Sequence, residues 1–181
     1  QLCPHAIVTS ASSGQYSKYS RWVTDIIASK VPLFEKASID EFYIDLTGMD
    51  KFFGCYKHVT ELRQKIIKET GLPISLGMSA NKTVSKIATD EAKPNNQINI
   101  NKGTEKPFLS PLSVRKIPMV GLKTYQTLCN LGVKRIATII KEDLTIHSAE
   151  GVEESAEASG RLHHHRHGLA VAVTITPLLI V

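Results

Sequence analysis

A chain of 181 residues with 42% hydrophobic and 22% charged content can build one ordinary domain or two small ones, which excludes an intrinsically disordered polymer. Its net charge of +5 fits a polyanionic partner, and three distant cysteines, Cys3, Cys55 and Cys129, exclude a disulfide scaffold and fit a reduced, cytoplasmic chain. The start, Gln1-Leu2-Cys3-Pro4-His5, has neither a secretory leader nor an initiator Met, so the chain is expected to begin inside a gene; the apolar run at 169–181 contains Pro177 and is too short to span a bilayer as a helix.

In chain order, the pattern predicts a helix over 14–29, with Tyr16, Tyr19, Val23, Ile26 and Ile27 at three- and four-residue steps and Pro32 closing it. Strands are expected at 33–39 and 42–46. Asp40 and Glu41 lie between them, at the apex of a tight hairpin, because acidic residues suit turns better than strand interiors. A second helix over 57–70 buries Val59, Leu62, Ile66 and Ile67 and ends on Gly71. A strand over 72–80 turns Ile74, Leu76 and Met78 to one side. A third helix over 82–92 is capped by Asn81 and stops before Pro94, and a short strand covers 97–100. The expected fold class is α+β: helices on one face of a mixed, largely antiparallel sheet.

Residues 102–106 read as a linker. Beyond them, short helices at 112–117, 124–131 and 135–141 are punctuated by Pro and Gly, the first two flanking the turn Pro118-Met119-Val120-Gly121-Leu122. From Ser148 the composition shifts to Ser, Ala and Glu, then to histidines, then to Ala, Val, Thr and Ile, and no element is assigned there. The histidines His163, His164, His165 and His167 match no structural zinc spacing and have no cysteine nearby.

Charge is unevenly spread. Between residues 80 and 141 eleven Lys and Arg face three acids, so that stretch carries the basic excess and the remainder is slightly acidic. Asp40 and Glu41 are the residues whose placement invites chemistry. Two carboxylates on a hairpin tip can point at one cavity, as phosphoryl transfer between two divalent ions roughly 4 Å apart requires. On spacing alone, a solvated acidic turn is the commoner outcome. Lys82 and Lys86 share a helix face and Lys93 follows the helix end, where amines can meet phosphates as point charges or stand solvated.

Three blocks resemble one family. Ser38-Ile39-Asp40-Glu41-Phe42-Tyr43-Ile44-Asp45-Leu46-Thr47-Gly48 is similar to the S-I-D-E-A-Y-L-D-[LIV]-T motif of Y-family DNA polymerases of the DinB type. Gly77-Met78-Ser79-Ala80-Asn81-Lys82-Thr83-Val84-Ser85-Lys86-Ile87-Ala88-Thr89-Asp90, with Lys93-Pro94-Asn95, resembles the family's G-[IVL]-[AS]-x-N-K stretch. Phe108-Leu109-Ser110-Pro111-Leu112 and Arg115-Lys116-Ile117-Pro118-Met119-Val120-Gly121 resemble its F-L-x-P-L…[VI]-P-G-[IV]-G block, with Met119 in place of the first glycine. The blocks stand in the family's order and spacing over residues 2–144.

The resemblance implies a DNA-directed DNA polymerase for translesion synthesis in DNA repair, present here as an incomplete piece. Residues 1–102 would be a partial palm, 103–147 a thumb with a helix-hairpin-helix, and 148–181 an aberrant tail. Asp40 and Glu41 would be catalytic and would bind two Mg2+ ions, with a further carboxylate expected on an amino-terminal strand outside this chain. Lys93 would contact the triphosphate of the incoming deoxynucleotide. Met119, Val120, Gly121 and Lys123 would meet primer-template DNA, through backbone N–H groups at the hairpin, where Gly121 is expected to supply backbone freedom. A sliding clamp would bind through segments outside this chain. The alternative is a non-catalytic DNA-binding relative. A palm-fold nucleotide cyclase also uses hairpin carboxylates, but the block at 108–139 argues against it.

Overall fold

The computed structural model describes residues 3–7, 13–49, 54–146 and 169–175. Helix α1 (Ser13–Ala28) leads to strands β1 (Leu33–Lys36) and β2 (Glu41–Asp45), then to α2 (Cys55–Thr70), β3 (Ile74–Ser79), α3 (Lys82–Glu91) and β4 (Gln97–Asn99). Helix α4 (Glu105–Leu109), a 3-10 turn (Val114–Lys116), α5 (Leu122–Asn130) and α6 (Ile136–Ile146) follow, and β5 (Ala170–Ile175) is the last of the described elements. The strands form one five-stranded sheet in the order β1-β2-β5-β3-β4. Only the β3–β4 pair is parallel, so the sheet is mixed and largely antiparallel, as expected.

Alternation along the strands assigns the two faces. Phe42 and Ile44 of β2, Ile74, Leu76 and Met78 of β3, and Val171, Val173 and Ile175 of β5 share one buried cluster with Val23, Ile26 and Ile27 of α1 and Val59, Leu62 and Ile66 of α2. Burial of each such side chain stabilises the fold by about 1.5–3 kcal/mol. Tyr16, expected on the buried stripe of α1, is instead exposed, because the apolar face of the helix begins only at Tyr19. The αL residue Gly71 ends α2, its N–H bonding to the Ile67 carbonyl at 2.9 Å.

The opposite face is covered as well, which corrects the expectation of helices on one face only. Every residue of β3 is buried. A Cβ at Gly77 would overlap the Ser85 carbonyl, the Thr89 amide and the Ala88 methyl group of α3, so glycine lets the helix lie directly on the strand. Asn81 caps α3, its side chain accepting from the Val84 amide at 2.9 Å. Hydroxyls of α3 then reach the sheet: Ser85 Oγ donates to the Ala170 carbonyl at 2.7 Å and Thr89 Oγ1 to the Ala172 carbonyl at 2.9 Å.

Strand β5 lies in the stretch where the sequence pattern assigns no element. It is the middle strand, antiparallel to β2 on one side and β3 on the other. Its six residues are all β-branched or small, with Val171, Val173 and Ile175 in the core and Ala170 and Ala172 between them admitting α3.

Beyond β4 the helices are short, as expected, with altered limits. The linker at 102–106 runs into α4 at Glu105, and the helix expected at 112–117 is a single 3-10 turn. The Val114 amide bonds to the Lys134 carbonyl at 3.1 Å and the Ile136 amide to the Leu112 carbonyl at 2.9 Å, clasping the entry to α6 against the 3-10 turn. Phe108 and Leu109 pack on Val84, Ala88 and Ile100, and Lys116 pairs with Glu91 at 2.6 Å, fastening this unit to α3.

Candidate active site

Glu41 and Tyr43 leave β2 on the side of α3 because Phe42 and Ile44 turn to the core. Helix α3 answers with Lys82, Lys86 and Asp90 at four-residue steps, one face of the helix, and Lys93 stands just past its end. Lys82 pairs with Glu35 of β1 and holds its ammonium 5.2 Å from the Tyr43 ring centroid. Lys86 Nζ lies 2.5 Å from Glu41 Oε1 and 3.5 Å from Asp90 Oδ1. Lys93 Nζ lies 2.7 Å from the same Asp90 oxygen. Glu41, Lys86, Asp90 and Lys93 therefore form one chain of alternating charge. The side chains of Lys86 and Glu41 keep only 20% and 19% of their surface exposed, so this pair is the least screened link.

Burial alone would lower the Lys86 ammonium, but its hydrogen bond to Glu41 and the charge of Asp90 outweigh that and raise its pKa above the ordinary 10.5. Burial, with the charge of Glu41 next, raises the Tyr43 phenol above its ordinary 10.0. The cluster at rest thus holds a charged lysine and a neutral phenol.

Asp40 is placed differently. The hairpin closes with the Ala37 and Ser38 amides on the Glu41 carbonyl, at 2.9 and 3.2 Å, so Glu41 is the first residue of β2 and not part of a free apex. Only Asp40 stands in the turn. Its Oδ1 accepts from Ser38 Oγ at 2.5 Å, and its carbonyl accepts from the Ile175 amide of β5 at 2.9 Å. Among the described residues, no side-chain contact joins Asp40 to the chain of charges that starts at Glu41. The register places Thr174 beside Glu41 and Ala172 beside Tyr43, so the middle strand contributes a hydroxyl and methyl groups to this face.

The hairpin before α5 has the turn the sequence pointed to, and its left-handed residue is Met119, which stands in place of the first glycine. Met119 adopts φ +71°, the conformation a glycine would take most readily, and is 99% exposed. Gly121 has φ −76° and ψ 176°, an extended geometry open to any residue. Val120 donates to the Ile117 carbonyl at 3.1 Å, Gly121 donates to the Met119 carbonyl at 3.1 Å, and Lys123 stands exposed in the first turn of α5. The histidines between 163 and 167 lie outside the described residues.

Sequence reasoning missed Asp90, Glu35 and Tyr43 as members of the cluster. The signal for Asp90 was present in its four-residue step from Lys86; the parts of Glu35 and Tyr43 depend on how β1 and β2 meet α3.

Residues 1–90 match the family described as IMS: impB/mucB/samB family. The chain is 34% identical over 139 residues to DNA polymerase IV of Dehalococcoides mccartyi, covering 76% of this chain and 36% of that protein. It is 33% identical over 174 residues to DNA polymerase IV of Alkaliphilus oremlandii, covering 93% of this chain and 42% of that protein. The chain belongs to the DinB-type Y family of DNA polymerases. It spans about two fifths of the length of these curated relatives. Among solved Y-family structures, the insertion ternary complex of Dbh DNA polymerase matches with TM-score 0.68 and 28% identity over 78% of this chain and 42% of that one. DinB from Sulfolobus solfataricus matches with TM-score 0.69 and 26% identity over 82% of this chain and 45% of that one. The α+β sheet with its helices is the Y-family palm-like fold, and among the described residues no helix is long and apolar enough to cross a membrane.

Proposed function

We propose that this chain forms part of a cytoplasmic translesion DNA polymerase that extends a primer along template DNA with deoxynucleoside triphosphates. The observation that carries the reading is the chain of charges linking Glu41 on the sheet to Lys93 beyond α3. It couples a carboxylate at the hairpin to an ammonium suited to a polyphosphate within one rigid face, and positioning with charge stabilisation is most of what phosphoryl transfer asks of a protein. Lys93 is the proposed triphosphate contact, reached by exchanging Asp90 for phosphate. Lys86 holds the Glu41 carboxylate in place meanwhile. The turn at Met119, Val120 and Gly121, with Lys123 beside it, is the proposed seat of DNA phosphates, read without regard to sequence.

The family reading calls for two Mg2+ ions at Asp40 and Glu41. Their hard oxygens suit such ions. Yet among the described residues no three carboxylate, His or Cys side chains gather around one point, and Glu41 Oε1 is engaged by Lys86. The described residues do not by themselves fit a two-ion centre.

Primer extension tests the proposal. The 181-residue chain with Mg2+ and all four deoxynucleotides should show no extension. A protein of the relatives' full length carrying these residues should extend, and Asp40→Ala or Glu41→Ala should each lower its rate by about a hundredfold or more. Extension that survives both substitutions would refute the assignment.

A further inference from the structure

A concave surface lies where α1 meets the hairpin, on the sheet face opposite the charge chain. An open cavity of about 450 Å3 is lined by Ser17, Ser20, Arg21, Thr24, Lys36 and Ile39. A neighbouring one of about 340 Å3 shares Ser17 and Arg21 and adds Lys18, Trp22 and Asp25. Together they make a groove along one side of α1. Lys36 donates to Ser20 Oγ at 2.7 Å and to Thr24 Oγ1 at 3.2 Å, both neutral oxygens. Among the described residues, none of Lys18, Arg21 and Lys36 is paired with a carboxylate, whereas the lysines of α3 all are. Three cations against the single acid Asp25 leave the groove electropositive, with hydroxyls on its wall. Trp22 keeps 40% of its surface exposed and stacks on Tyr19, ring centroids 6.2 Å apart and planes 20° apart, so its indole is buttressed where it meets solvent.

Unpaired cations and hydroxyls beside a braced, exposed indole are the chemistry of single-stranded nucleic acid: phosphates meet the cations and a base stacks on the ring. A compact anion alone would have no use for the indole, and an apolar partner none for the cations. We infer that this groove binds a single-stranded nucleic-acid segment, with backbone phosphates at Arg21 and Lys36 and a base on Trp22. The inference goes beyond the proposed function and is separable from it, because Arg21, Trp22 and Lys36 belong neither to the Met119 hairpin nor to the charge chain.

Trp22 is the chain's only tryptophan, so its fluorescence reports on this groove directly. Titration of the 181-residue chain with an oligothymidylate should quench that emission saturably. The slope of log affinity against log salt should fall by about 1.4 in the Arg21→Gln, Lys36→Gln double variant, roughly 0.7 for each single-strand phosphate left without its cation. With a labelled oligonucleotide read by anisotropy, Trp22→Ala should weaken binding roughly tenfold and Trp22→Phe should restore most of it, since stacking survives. All these positions except Ser20 and Thr24 are exposed, and circular dichroism would verify that the variants fold. Quenching left unchanged by the double variant, or abolished by Lys123→Gln with Lys134→Gln, would overturn the inference. So would equal displacement by polyglutamate, or saturation by thymidine monophosphate at the oligonucleotide's affinity.

Discussion

At the scale of single residues, Gly77 and Lys86 determine whether α3 can serve the site. Gly77 faces backbone atoms of α3, which cannot swing aside as a flexible side-chain tip would. Gly77→Ala should therefore cost about 1–3 kcal/mol or more and separate the helix from the strand, measurable by urea denaturation. Lys86 and Tyr43 both have folded pKa values raised above their ordinary 10.5 and 10.0. A raised value means that the folded state holds its proton longer than the unfolded chain. The stabilisation is complete below the ordinary values and is lost as pH climbs through the folded ones. Stability should be nearly level from about pH 7 to 9.5 and fall beyond roughly pH 10. Lys86→Met should show a shallower alkaline fall than the parent chain in denaturation at each pH; equal slopes would show that Lys86 carries none of it.

At the scale of elements, β5 carries the largest consequence. It pairs on both sides and places Val171, Val173 and Ile175 in the core. Its absence would expose the facing edges of β2 and β3, with their unpaired backbone groups. Val173→Asp, which puts an unpaired carboxylate opposite Phe42 and Leu76, should cost on the order of 3 kcal/mol or more and appear as a large loss in Tm. A change within the scatter of surface substitutions would mean that this part of the chain is an appendage. Legibility differed sharply between elements. Helix α2 and strand β3 could be read from periodicity because their apolar steps are unbroken. Strand β5 could not, since a short run of Ala and Val has the same pattern in a helix, a strand or an unstructured tail. The hairpin motif revealed its carboxylates, but alternation along β2 put Glu41 on the α3 side, where Lys86 binds it, and left Asp40 in the turn with Ser38.

At the scale of the molecule, charge is partitioned. The acids Glu35, Glu41, Asp90 and Glu91 are each tied to a lysine, whereas Lys123 in the first turn of α5 and Lys134 beyond its end are free of carboxylate partners among the described residues. Free cations release counterions when they meet DNA phosphates; paired ones first have to give up an acid. Duplex binding should thus weaken steeply with salt, and Lys123→Gln with Lys134→Gln should lower the slope of log affinity against log salt by about 1.8, near 0.9 for each phosphate of B-form DNA that a lysine neutralises. Binding indifferent to salt, or selective for one base sequence, would contradict it; electrophoretic titration at several salt concentrations would decide.

The amino-acid sequence alone determined the family, the α+β class and the order of elements from α1 to β4, because these rest on local spacing: motif order, helical steps and caps such as Asn81 and Gly71. Tertiary structure alone decided that helices cover both faces of the sheet, that the last of the described strands is its middle one, that Glu41 and Lys93 are joined through Lys86 and Asp90, and that the left-handed residue of the hairpin is Met119. Each of these depends on which surfaces, distant in the chain, exclude water from one another. That choice is made by burial and close packing of the whole core, which no short window of sequence contains.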